Sequence, residues 1–74
     1  MKPATIQAIA RAQIIGECVK AAINTAGEAV AEERTPADKA ALWLHSEVVI
    51  HALSKMHDEA RGAAYDLMRA EIKP

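Results

Sequence analysis

Apolar residues recur every three or four positions in two long segments of the chain, the spacing that places side chains on one side of an α-helix. In the first segment this repeat comprises Ile9, Ala12, Gly16, Val19, Ile23, Ala26 and Val30. In the second it comprises Leu42, Ser46, Val49, Leu53, Met56, Ala60, Ala63, Leu67 and Ala70. Polar residues such as Arg11, Gln13, Glu17 and Lys20 fall between them. The pattern therefore predicts two long amphipathic helices.

A helix start separates the two repeats. Thr35 is a residue type that caps helices, Pro36 suits the first helical position, and Asp38 can bond back to the cap. The expected organisation is one domain, residues 1–74, with a helix at about 4–33, a turn at 34–35 and a helix at about 36–72.

A turn this short makes the two helices antiparallel neighbours. The numbers of residues that meet should then sum to about 69, twice the position of the turn. The two repeats satisfy this sum, with Gly16 opposite Leu53 and Ala12 opposite Met56. Small residues thus face large ones, as in interdigitated layers. The fold class predicted is all-α, an antiparallel helical hairpin.

The segment 41–53 is apolar on more than one side of its helix. A helix of this kind has to be covered on most sides, and one neighbouring helix cannot do that. A second copy of the chain is the simplest cover, so we expect a homodimer in which two hairpins form a four-helix bundle. The residues expected at the dimer interface are Trp43, Leu44, Val48 and Ile50.

The end of the second helix has no predicted cover within the chain, because the expected register places Pro3 opposite about residue 66. Gly62 lies just before this end and lowers the cost of bending there. We therefore expect residues 63–74 to pack on the second chain or on an external protein. The partner-binding residues expected are Tyr65, Leu67, Met68 and Ile72.

Composition supports assembly and restricts the classes of partner. A chain of 74 residues buries only about 60% of its unfolded surface. The single cysteine, Cys18, cannot form an intrachain disulfide, which leaves oligomerisation as the support for a small core. Nine basic residues balance ten acidic ones, without the basic stripe typical of nucleic-acid binding. Neither a signal peptide nor a membrane span is expected, which favours the cytoplasm.

No arrangement typical of catalysis or metal binding is found in the sequence. His45, His51 and His57 are six residues apart, so successive histidines differ by about 120° and cannot share a face. Cys18 and His51 are expected at the same height, but both project away from the helix contact. We therefore predict no catalytic residue, no cofactor and no metal site.

These observations predict a small non-enzymatic protein–protein interaction module. It would act as a homodimeric adaptor, or as an inhibitor that docks on a larger protein. The alternative is a nucleic-acid- or nucleotide-binding helical dimer with Arg61 and Arg69 as contacts.

Overall fold

The computed structural model describes residues 1–72, which form two helices joined by a tight turn. Helix α1 spans Pro3–Glu32 and helix α2 spans Pro36–Ile72. They pack side by side along their lengths in a rod measuring 59 × 14 × 12 Å. The all-α helical hairpin expected from the two apolar repeats is confirmed.

The start of α2 is fixed by Thr35. Its hydroxyl oxygen accepts a hydrogen bond from the Asp38 backbone N–H at 3.1 Å, and its carbonyl accepts one from the Lys39 N–H at 3.0 Å. Pro36 is the first residue of the helix. Proline has no backbone N–H, so this position has no donor that would need an acceptor. The cap predicted at Thr35 is confirmed. The turn between the two helices comprises the three residues 33–35.

The end of α1 is capped by a side chain from α2. The last turn of α1 contains no basic residue of its own. The Lys39 ammonium reaches back across the turn and donates to the Val30 carbonyl at 3.4 Å. A cation at a helix C-terminus is favourable because the carbonyls there carry partial negative charge. This contact, which the sequence analysis missed, ties the first turn of α2 to the last turn of α1.

The contact between the helices agrees with the predicted one at Leu42, Ser46, Leu53 and Ala60 of α2, which are half-buried. At other turns of α2 it lies one position later: Ile50, His57, Ala64 and Met68 are half-buried or buried against α1, whereas Val49 and Met56 are 49% and 48% exposed. The reason is that a helical side chain leans toward its own N-terminus, so a given spot is covered by a residue about one position further along.

Gly16 faces His57, which lies one helical turn beyond the predicted partner Leu53. A Cβ atom at Gly16 would lie 3.0 Å from the His57 Nε2, closer than an ordinary contact. The glycine leaves room for the imidazole ring between the two helices.

The two helices also contact each other at the open end of the hairpin, opposite the turn. The Lys2 backbone N–H donates to the Glu71 carboxylate, and Met68 lines one groove with Ile9 on α1. Ala64 is only 3% exposed. The expectation that residues 63–74 lack intrachain cover is wrong for Ala64 and Met68, which α1 covers, whereas Leu67 and Ile72 are 38% and 80% exposed. Lys73 and Pro74 lie outside the described residues.

Candidate interaction surface

The hairpin exposes more surface than a compact protein of its mass. Its accessible surface is 5689 Å², against about 4,450 Å² expected for a folded monomer of 8.0 kDa. Its radius of gyration is 16.9 Å, against about 11 Å for a compact domain. The exposed large apolar side chains are Met1, Ile6, Ile14, Ile23, Trp43, Leu44, Val48, Val49, Met56, Tyr65, Leu67 and Ile72. The excess area, about 1,200 Å², is thus accompanied by exposed apolar groups along the rod.

Two grooves follow the two sides of the helix contact. We call the first the front groove, and its walls are Ala4, Ala8, Arg11, Ala22, Thr25 and Ala29 on α1, with His45, Val49, Met56, Glu59 and Ala63 on α2. Val49, Met56 and Ala63 are seven residues apart, which is two helical turns, so they share one side of α2. The α1 wall consists mainly of alanine, whereas the α2 wall carries larger side chains.

The second groove lies on the opposite side, and we call it the back groove. Its walls are Ile9, Gln13, Gly16 and Lys20 on α1, with His57, Arg61, Tyr65 and Met68 on α2. Polar groups occupy its middle, and the larger apolar groups lie toward the open end of the hairpin. The two grooves therefore differ in where their polar groups lie: in the front groove they are Gln7, Arg11 and Glu59 toward the open end, and the segment nearer the turn is apolar.

The four residues predicted at the dimer interface do not lie on one surface. Leu44 and Val48 are 63% and 71% exposed and share the outer side of α2, where they line neither groove. Ile50 is half-buried at the turn end of the front groove, beside Ala22. Trp43 lies two helical turns before Ile50, on the same side of α2. One flat contact cannot cover all four.

The predicted partner-binding residues are also divided. Tyr65 and Met68 line the back groove, and Ile72 follows Tyr65 by two helical turns on the same side. Leu67 is four residues after Ala63 and continues the front side of α2. The structure therefore brings three of the four together and separates Leu67 from them.

The titratable side chains are dispersed along the rod. His45 lines the front groove, His57 packs on Gly16, and His51 is exposed. Residues 1–72 contain no group of three or more His, Cys, Asp or Glu side chains placed to hold a metal ion. Cys18 is exposed in a shallow apolar depression beside Ile14. Within residues 1–72, no hydrogen bond joins Cys18 to a histidine.

The charged side chains of the described chain form short-range pairs. The ion pairs join Glu17 with Lys20, Asp58 with Arg61 and Asp66 with Arg69, each three residues apart and exposed. Arg61 and Arg69, the contacts of the nucleic-acid alternative, thus each have an aspartate beside them. An interleaved surface of this kind differs from the basic stripe that phosphate binding requires.

Neither helix has an apolar stretch in the described residues that could cross a bilayer. No protein-family model, curated protein or solved structure matches the chain. A function therefore has to be inferred from the hairpin itself and its two exposed grooves.

Proposed function

We propose that this chain is a small non-enzymatic protein–protein interaction module. It forms a homodimer, a four-helix bundle of two hairpins, and acts as an adaptor or inhibitor on a larger protein in the cytoplasm. One observation carries the proposal: the buried apolar core of residues 1–72 consists of Ala12, Ala26 and Ala64, while large apolar side chains remain exposed on both sides of the helix contact.

The exposed area fits a dimer. Two chains with an excess of about 1,200 Å² each could bury about 2,400 Å² in total, within the range of obligate homodimers. The larger apolar side chains at the helix contact, such as Ile9, Val19 and Leu53, are only half-buried, so apolar burial within one hairpin is small against the conformational entropy of ordering two long helices. A second layer of helices would supply the missing apolar contact, as it does in four-helix bundles.

A dimer that closes one groove leaves the other for a larger protein. The back groove is suited to such docking because it combines the aromatic Tyr65 and the adaptable Met68 with a rim of polar residues. Tyrosine, methionine and arginine are enriched at protein interfaces, and all three occur here with Arg61. We propose an amphipathic helix as the bound segment.

Light scattering after size exclusion tests the homodimer. We expect a mass of about 16 kDa at micromolar concentration, twice the 8.0 kDa of one chain, together with a helical circular dichroism spectrum. A well-folded monomer at that concentration would refute the proposal.

Capture from cytosol under matched conditions tests the docking function. The wild-type chain and the variant Tyr65→Ser/Ile72→Ser serve as baits, and Leu44→Ser is the control for a general loss of surface apolarity. We expect one specific protein to be retained by the wild type and the control, and lost from the double variant with its dimer mass unchanged. Salt-dependent retention of nucleic acid in its place would favour the alternative.

A further inference from the structure

We propose that the front groove is the surface that binds a second copy of this chain, with both turns at the same end of the bundle. Each α1 then lies against the α2 of the partner hairpin. This inference rests on the proposed homodimer. It specifies which side of each hairpin forms the interface and whether the two turns lie at the same end of the bundle.

The shape of the front groove selects this direction. In the segment nearer the turn its α1 wall is small, with Ala22, Thr25 and Ala29, whereas its α2 wall carries Val49. In the other segment Gln7 and Arg11 join Ala4 and Ala8 on α1, and Met56 lies on α2. A two-fold axis along the rod places each small wall against the partner's large wall, and large side chains then fit over small ones. A two-fold axis across the rod instead sets alanine against alanine and large against large, which leaves gaps in one layer and crowds the other.

The heights of these residues agree with the same arrangement. Val49 and Ala22 line one segment of the groove, and Met56 and Ala8 line the other. An axis along the rod preserves height, so the partner's Val49 lies over the Ala22 region, and the partner's Met56 lies near Arg11 in the other segment. In the segment nearer the turn, the large Val49 thus has a small counterpart across the interface.

Charge gives a second and independent reason. Arg11 and Glu59 are exposed on opposite walls of the same groove segment. Neither takes part in the ion pairs formed within residues 1–72. With the turns together, each Arg11 faces the partner's Glu59, which gives two symmetric ion pairs. With the turns apart, Arg11 instead faces the partner's α1 wall near Thr25, which carries no charge.

The arrangement also decides which apolar residues stay outside. Leu44 and Val48 lie on the outer side of α2, and the back groove with Tyr65 and Met68 remains open on both faces of the bundle. The homodimer would therefore present two equivalent docking surfaces related by its two-fold axis.

Pulsed electron–electron double resonance between spin labels in the two turns tests whether the turns lie at the same end of the bundle. The full chain carries Cys18→Ser and Arg34→Cys, the latter spin-labelled at an exposed position of the turn. With turns together, the two labels lie within about 25 Å, since packed helix layers are about 10 Å apart. With turns apart, their separation approaches the 59 Å length of the rod.

A label at Lys55→Cys, near the middle of α2, serves as the control because it gives a measurable distance in either arrangement. A short turn-to-turn distance supports the inference. A long one refutes it while leaving the homodimer intact, and a loss of all intermolecular distances refutes the homodimer as well.

Substitutions test whether the front groove is the surface that binds the second chain. Arg11→Glu and Glu59→Arg should each weaken the homodimer by roughly 2- to 30-fold, and an equimolar mixture of the two variants should form the heterodimer at wild-type affinity. Val49→Asp should weaken association by at least about 100-fold, whereas Leu44→Asp, on the outer side, should change it less than about threefold. The assignment of the front groove as the dimer interface is refuted if Leu44→Asp dissociates the dimer and Val49→Asp does not. It is also refuted if mixing the two charge variants does not restore dimer affinity.

Discussion

Replacement of Gly16 by alanine measures how tightly the two helices meet. A glycine-to-alanine change inside a helix normally stabilises it by about 1 kcal/mol. Gly27 and Gly62 have open space within 4 Å of an added Cβ, so Gly27→Ala and Gly62→Ala should each gain the full amount. At Gly16 the new methyl group would lie 3.0 Å from the His57 Nε2, about 0.5 Å inside an ordinary contact.

The imidazole of His57 has to turn aside to admit that methyl group. Overpacking of this kind costs about 1–3 kcal/mol, which cancels or exceeds the gain in helix propensity. We expect Gly16→Ala to change the free energy of unfolding by between about 0 and −2 kcal/mol. For a domain of this size, 1 kcal/mol corresponds to a Tm change of about 4–8 °C.

Thermal unfolding followed by circular dichroism at one fixed chain concentration is the appropriate assay, because the proposed dimerisation would make Tm depend on concentration. Gly62→Ala should raise Tm, and Gly16→Ala should leave it unchanged or lower it. In a His57→Ala background, Gly16→Ala should recover its gain of about 1 kcal/mol. Equal stabilisation by Gly16→Ala and Gly62→Ala in the wild-type background would show that the ring does not pack on Gly16.

Three further substitutions probe the turn and the surface. Thr35→Ala should cost about 1 kcal/mol by removing the cap, whereas Thr35→Ser should be nearly neutral; chemical denaturation distinguishes them. Lys39→Met should cost about 0.5–1 kcal/mol and speed hydrogen exchange in the last turn of α1, and equal exchange in both proteins would contradict the cap at Val30. Asp66→Asn should change stability by less than about 0.5 kcal/mol, because its pair with Arg69 is exposed.

The elements of the hairpin could be predicted from sequence because their signals are local. Apolar spacing specifies a helix, and the residues Thr35 and Pro36 mark where the second helix begins. The contact of Lys39 with Val30 was missed because it depends on how closely the turn brings two helix ends together. Sequence alone does not give that distance.

The side of each helix that meets the other was predicted less well. A repeat with three- and four-residue spacing tolerates a shift by one position, and the lean of side chains toward the helix N-terminus decides the outcome. This lean selects Ile50 over Val49 and His57 over Met56. The same shift turns Val49 and Met56 from expected core residues into a groove wall, because apolar spacing alone does not distinguish neighbouring positions of a helix.

The bond between Lys39 and Val30 also affects how the chain folds. It joins residues only nine apart, and a loop of about ten residues closes in about 10–100 ns. Contact at the turn can therefore form first, and pairing of the helices then proceeds outward to Lys2 and Glu71 without further long loop closures. In the proposed homodimer the encounter of two hairpins would be bimolecular and the slow step, so the folding rate of dilute chains should rise with their concentration.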